Sequence, residues 1–401
     1  MDAPSSTAQK GSSRMTTAQL TAHQRALGLG AVVAASVGVG GTIGMLMPLA
    51  NLTLERWELS ATLIGLNSSV QALAMLVVGP FLAGWVRRLG AVPALILGTA
   101  LGVAAILALP LFPALGPWFV LRFLIGTGMA LPWLVAETWV NAIARESSRA
   151  RVIAVYSIAL FAGLALGPQL LQAIGREGVL PFVVCAGLLG LSALPMVAAR
   201  GLLPDLEVPP GLRIHQVLAR APTVAGAALI AGVSESACYM LLPVYGVRAG
   251  VGETVALTWL TVLILGAVAW QFPMGWLADR MDRQRLLGLA GIAGALVPLA
   301  LLTFGSGSWV VWPLLFVYGG IALGYYTVGL AHLGARFGPG ELAVANAGFM
   351  VLYETGTTVG PALAGTGMEL WAPHGYLVVL SAFGAAFAVL VGWRRRPMRR
   401  G

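Results

Sequence analysis

Four charged residues stand inside apolar stretches of this chain: Arg122, Glu137, Glu235 and Glu354. Charge in hydrocarbon is expensive, so each is a candidate to pair, bind or carry ions. Glu354 borders a stripe of Asn346, Met350, Tyr353 and Thr357, spaced i, i+4, i+7 and i+11, which is one face of a helix. Such a stripe suits the wall of a wet cavity, where a carboxylate can exchange protons. The competing reading is an acid that only joins helices. Glu235 repeats the pattern, with Ser234 adjacent and Tyr239 at i+4. Arg122 could orient an anionic substrate or bias a neighbouring acid; otherwise it snorkels to the outer interface. Glu137 is 15 residues from Arg122, about 22 Å along a helix, so those two cannot pair. Beside basic residues, it reads instead as an inner-gate ion pair with Arg88 or Arg151. Asn67 and Gln71 share a helix face. Trp133, Tyr156, Tyr318, Tyr325 and Tyr326 could wall a cavity for bulky, partly apolar or cationic molecules, or simply pack. His332 reads as an interfacial histidine.

The elements positioning these residues must lie in a membrane. The chain is 58% hydrophobic and only 10% charged, against about 25% charged in soluble domains. Twelve apolar windows run at about 26–50, 61–86, 91–112, 117–140, 150–173, 178–199, 222–246, 254–278, 286–304, 309–332, 342–367 and 375–393. Each can cross a hydrocarbon layer of about 30 Å as a helix. The expected fold is an all-α integral membrane protein of twelve transmembrane helices.

Of 24 Lys and Arg residues, Arg56, Arg176 and Arg248 fall in odd-numbered loops and Arg122 inside a helix. The rest lie in even-numbered loops and tails, which predicts both termini in the cytoplasm. Trp57, Trp85, Trp118, Trp276, Trp309, Trp371 and Trp393 lie near window ends, as interfacial anchors do. The net charge of +9 is accounted for by topogenic charge and calls for no nucleic-acid partner. Lys10 is the single lysine amid abundant Ala and Gly, which suits a GC-rich bacterial genome and a bacterial inner membrane. Cys185 and Cys238 both fall inside windows, which excludes a disulfide framework or a Cys metal site. Residues 1–25 read as a polar, disordered cytoplasmic tail without a signal peptide. Residues 394–401 read as a basic cytoplasmic tail.

A polar break at 200–221 separates a six-helix bundle at 26–199 from another at 222–393, and reads as a cytoplasmic linker. The halves look duplicated. Gly163-x-x-x-Gly167-Pro168 returns 193 residues later as Gly356-x-x-x-Gly360-Pro361, and Arg88 aligns with Arg280 at an offset of 192. Parallel repeats of this kind build two-halved secondary transporters. Small residues let helices approach closely, and Pro interrupts the backbone ladder. The repeated element therefore predicts a pliable, close-packed helix at the meeting of the halves, or plain helix packing. By the same offset Glu354 corresponds to Phe161, so the acid belongs to one half only.

After residue 25 the chain resembles the major facilitator superfamily. Gly275-x-x-x-Asp279-Arg280-x-x-Arg283 resembles that family's signature loop, in its second-half copy, which implies a tight turn with Asp and Arg able to pair and latch neighbouring helices. The first-half copy departs from the pattern, with Ala83 for the first Gly and Arg87 at the acidic position. Arg122-x-x-x-Gly126-x-Gly128 resembles the fourth-helix motif, and the Gly163–Pro168 element the fifth-helix motif associated with antiporters. AETWVNAIARESSRARVIAVYS resembles the YcaD-like branch. The resemblance implies two pseudo-symmetric six-helix bundles, with helices 5 and 11 where the halves meet and helix 7 lining the cavity.

The expected function is secondary active transport of a small organic molecule by alternating access. Proton-coupled efflux leads; uptake or facilitated diffusion of an aromatic or vitamin-like metabolite is the alternative. A membrane enzyme is disfavoured because His23, His215, His332 and His374 are scattered, without metal-ligand spacing. No Gly-rich phosphate loop with Lys appears, so an ATP-driven pump is disfavoured too. A non-transporting sensor would favour longer soluble extensions. No cofactor beyond a proton gradient is expected, and the expected unit is a monomer.

Overall fold

A computed structural model describes residues 21–143, 149–202, 220–337 and 339–395. The tails and the linker expected at 200–221 lie largely outside these residues, except that Ala22 to Arg25 already belong to the first helix. Twelve long helices account for the twelve apolar windows: α1 (Ala22–Arg56), α2 (Ala61–Leu89), α3 (Ala91–Ala108), α4 (Leu115–Ile143), α5 (Arg149–Ile174), α6 (Leu180–Ala198), α7 (Pro222–Arg248), α8 (Glu253–Arg280), α9 (Arg283–Phe304), α10 (Val311–Arg336), α11 (Pro339–Leu370) and α12 (Gly375–Arg395). No strand occurs among the described residues.

Most of the helices outrun their windows, while α3 and α6 fall short of theirs. Thr21 and Gln24 form a capping box that starts α1 ahead of its apolar segment. Eleven of the twelve are long and apolar enough to cross a membrane. The exception, α11, has 32 residues but is diluted by Asn346, Tyr353, Glu354 and four threonines. It tolerates them because it packs between α7 and α2. The outer surface is apolar, with side chains such as Phe272 80% exposed, as a lipid-facing surface requires.

The repeat in sequence is a repeat of packing. A Cβ on Gly163 of α5 would come within 2.2 Å of the Val37 carbonyl of α1, and one on Gly356 of α11 within 2.3 Å of the Leu229 carbonyl of α7. The glycines differ by 193 positions and the carbonyls by 192. Gly167 and Gly360 abut the same partner helices, at Gly44 and Val233. Pro80 of α2 and Pro273 of α8 stand at the same offset inside matching helices.

Helices α5 and α11 stand where the halves meet, as the resemblance implies, but their duplicated glycines bind α5 to α1 and α11 to α7, each within its own half. The halves meet along α2 and α11, and along α5 and α8. At the first seam Gly65 lies against the Pro361 carbonyl and Gly365 against the Ala61 carbonyl, with would-be Cβ contacts of 2.2 Å in both places. At the second, Gln169 donates to Thr261 at 2.8 Å and Gln172 to Thr258 at 3.2 Å. The first seam is chiefly close backbone contact; the second carries amide–hydroxyl hydrogen bonds.

The signature-type loop also differs from expectation. Gly275 faces open space, and the turn falls at Met281–Asp282, where Asp282 caps α9 by accepting from the Arg285 amide at 2.8 Å. Among the described residues no ion pair joins Asp279 to Arg280 or Arg283. Instead Arg280 stacks 3.9 Å from the Trp276 ring, and Arg283 donates to the Ala331 carbonyl at 2.8 Å. The latch, from the start of α9 to α10, is thus arginine on backbone carbonyl.

Candidate functional site

A cavity of about 780 Å³ lies between the halves. The first half contributes Met47 of α1, Gln71 and Met75 of α2, Trp133 and Glu137 of α4, and Tyr156 and Phe161 of α5. The second contributes Glu235 and Tyr239 of α7, Gln271 of α8, Tyr326 and Thr327 of α10, and Met350, Tyr353, Glu354 and Thr357 of α11. These positions run from mid-helix toward the ends nearer the chain termini: Glu137 is close to the end of α4, and the lining residue Ala331 close to the end of α10.

The opposite, far side is closed by ion pairs between the halves. Arg248 at the end of α7 binds Glu55 at the end of α1, with Nη2 to Oε2 at 2.8 Å. Arg56 and Arg176 of the first half share Glu253 of the second, at 2.7 and 3.1 Å. The Glu369 carboxylate of α11 accepts from the Thr62 amide of α2 at 3.2 Å. The three arginines of the odd-numbered loops are therefore the three that clamp this side. Each pair is partly exposed and contributes on the order of 1 kcal/mol or less, an energy that a conformational cycle can overcome.

Within the cavity, the Tyr353 hydroxyl donates to Glu235 Oε2 at 3.0 Å. Glu235 is 5% exposed, and its Oε1 is buried with no hydrogen-bond partner. Glu354 Oε2 accepts from Thr357, one turn on, at 3.1 Å. Glu137 hydrogen-bonds with the side chain of Trp133 and stands on the cavity wall; Arg88 and Arg151 are exposed. Tyr326 lies within electrostatic reach of Glu137, Glu235 and Glu354, and acids of both halves line the same cavity as this ring. That ring meets Tyr353 edge-on, with centroids 5.2 Å apart.

Arg122 neither snorkels nor reaches the cavity wall. It is fully buried, and three side-chain amides receive it. Nε donates to Asn67 at 3.1 Å, Nη1 to Gln71 at 2.7 Å, and Nη2 to Asn51. Asn51 in turn donates to the Met240 carbonyl of α7 at 2.7 Å, tying this cluster to the other half. Gln71 has two roles, holding Arg122 and lining the cavity.

Four more candidates lie off the cavity wall, and one of them, Tyr318, is buried among core side chains. Asn67 is turned to Arg122. Asn346 is exposed. Tyr325 faces the core of the second half, donating to the Ala290 carbonyl at 3.0 Å, because neighbours on a helix point about 100° apart and Tyr326 takes the cavity side. Trp118 is a buried residue rather than an interfacial anchor, donating to the Leu109 and Phe112 carbonyls. Trp85, Trp276, Trp309, Trp371 and Trp393 are exposed. The sequence reading missed Asn51, Glu55, Glu253, Gln271 and Thr327. Glu55 and Glu253 lie beside the odd-loop arginines, which was the available signal.

Two helical bundles around a central cavity, clamped at one end, define the class as a two-halved membrane transporter. The family model of the Major Facilitator Superfamily matches residues 29–264 and 224–401, and the chain belongs to that family, whose members are transporters rather than enzymes. It is similar to the MFS-type transporter YfkF of Bacillus subtilis, at 24% identity over 364 residues, covering 88% of this chain and 92% of that one. It is also similar to YcaD of Escherichia coli, at 25% over 354 residues, covering 87% and 91%. Among solved structures, a bacterial homolog of the human lysosomal transporter Spinster, inward-facing and occupied, aligns with a TM-score of 0.73 at 17% identity, covering 93% of this chain and 98% of that one. The nucleoside transporter NupG aligns with a TM-score of 0.72 at 14% identity, covering 92% and 98%. These likenesses establish the fold.

Proposed function

We propose that the protein is a proton-coupled exporter of a small organic molecule, working by alternating access in the bacterial inner membrane. The observation that carries this reading is the placement of Glu235 and Glu354 on the wall of the cavity between the halves. Carboxylates there can hold a proton in one conformation and release it in the other. With the termini in the cytoplasm, as the arginine distribution favours, the cavity reaches the cytoplasmic side and the clamped side is external. Substrate then enters from the cytoplasm. The far-side pairs and the Gly65–Pro361 seam separate as the halves rock, and the acids take up protons from outside. A volume of about 780 Å³ suits a drug-sized ligand, since such sites span roughly 300–1,000 Å³. One chain carries the whole cavity, so a monomer suffices.

The test is proton movement in proteoliposomes carrying an inside-acid gradient and a pH dye, challenged with a panel of cations, drugs and aromatic metabolites. Compound-dependent collapse of the gradient, absent from protein-free vesicles and from Glu354→Gln, is the expected result. Entry of labelled compound independent of pH would instead make the protein a facilitator. Binding without any flux would make it a sensor.

A further inference from the structure

We infer that the cavity selects a bulky organic cation, with Glu235 as its counter-charge. The inference deepens the transport reading and takes from it the premise that this cavity is the substrate site.

Among the described residues, no Lys, Arg or His lines the cavity, whereas Glu137, Glu235 and Glu354 all do. The nearest buried cation, Arg122, is turned away and bound by Asn51, Asn67 and Gln71. An anionic ligand would meet three acids with no basic partner on the wall, and like charge at short range in a low-dielectric site is strongly unfavourable. The acids alone would not specify a ligand, but Glu235 does more. Its carboxylate is almost wholly buried on the cavity wall. Tyr353 satisfies Oε2, while Oε1 has no partner in the protein. A buried carboxylate oxygen without a partner is costly, and a proton, or the charge of a cation held against the Glu235 wall of the cavity, relieves it.

The remaining surface fits the apolar part of such a cation. Trp133, Tyr156, Phe161, Tyr239, Tyr326 and Tyr353 supply ring faces and edges. An organic cation within about 6 Å of such a ring is attracted by the ring's negative face. Met47, Met75, Met129, Met240 and Met350 add unbranched, polarizable side chains that adapt to different shapes. The facing titratable groups are Glu137 of α4, Tyr156 of α5, Tyr239 of α7, Tyr326 of α10, and Tyr353 and Glu354 of α11. None of them is a base. The Glu235 carboxylate is balanced either by a proton or by a cation in the cavity. Exchange of one monovalent cation for one proton therefore moves no net charge.

The test uses an isosteric pair on the intact, purified protein: tetraphenylphosphonium and tetraphenylborate, equal in shape and opposite in charge. Binding is followed by calorimetry and by quenching of tryptophan fluorescence. Saturable binding of the phosphonium, at least about tenfold tighter than that of the borate, is expected, with a similar loss in Glu235→Gln. Equal or tighter binding of the borate overturns the inference, as does phosphonium binding that Glu235→Gln leaves unchanged. The charge comparison needs no variant, so a Glu235→Gln protein that fails to fold does not block it. If phosphonium fails to bind while a neutral or anionic compound collapses the proton gradient, the cation inference fails and proton-coupled transport stands. If phosphonium binding depends on Glu235 but no compound moves protons, the cation site stands and the coupling fails.

Discussion

Arg248 donates to the Glu55 carboxylate from Nε at 2.9 Å and from Nη2 at 2.8 Å, so the far end of α7 is fastened to the far end of α1. The pair spans the two halves and lies on the side where the cavity is closed. Any cycle that opens the far side must break it.

That geometry gives a locking prediction. A Glu55→Cys, Arg248→Cys protein joined through two disulfides by a short bis-methanethiosulfonate linker should lose transport and regain it on reduction. Cys185 and Cys238 are buried and out of the linker's reach. The measurement is labelled-compound flux in proteoliposomes before and after reductant. Full flux in the linked protein would mean that the far side does not part at this point.

The Arg122 cluster gives a prediction about stability. A guanidinium spreads its donors over three amides, and the single ammonium of lysine cannot reproduce that fork. Arg122→Lys should therefore lose at least one charge-assisted hydrogen bond, each contributing roughly 1.5–3 kcal/mol, and leave amide oxygens buried without donors. The check is thermal unfolding of detergent-purified protein, where Arg122→Lys and Gln71→Ala should both melt lower. An unchanged melting temperature in both would show that the cluster contributes nothing to the fold. Substrate affinity separates the two variants further. Gln71→Ala removes part of the cavity wall itself, whereas Arg122→Lys reaches the wall only through its partner Gln71.

The helices, the duplication and much of the cavity wall could be read from sequence because each leaves a periodic or compositional mark. Tyr353, Met350 and Thr357 fall on one α11 face, and that face lines the cavity. Asn346 continues the same arithmetic but lies exposed near the start of the helix, beyond the reach of the cavity. Periodicity reports a helix face, not the depth at which a neighbour ends. Arg122 shows a different limit. Its partner Asn51 is 71 positions away on α1, and nothing in the local sequence of either residue announces the other. The glycine motifs were legible as close-packing elements, but not by partner. Gly163 and Gly65 look alike in sequence, and only the fold assigns one to the interior of a half and the other to the seam between halves.

That difference in placement gives the last prediction. At Gly65 a side chain would meet the Pro361 carbonyl of the opposite half, and at Gly163 the Val37 carbonyl of its own half. Overpacking of this kind costs about 1–3 kcal/mol. For Gly163→Val the α1–α5 pair is disturbed in every conformation, so the melting temperature should fall. For Gly65→Val the strain exists only while the far side is closed, and rocking of the halves relieves it. A bias of 1–3 kcal/mol shifts a two-state equilibrium roughly 5- to 150-fold. Gly65→Val should therefore move the population toward the far-side-open form with little change in melting. Linking of the Glu55→Cys, Arg248→Cys pair reports that population, and its yield should drop in the Gly65→Val background. Equal melting losses in both valine variants, with linking yield unchanged, would mean that the α2–α11 seam is fixed structure and that the halves part elsewhere.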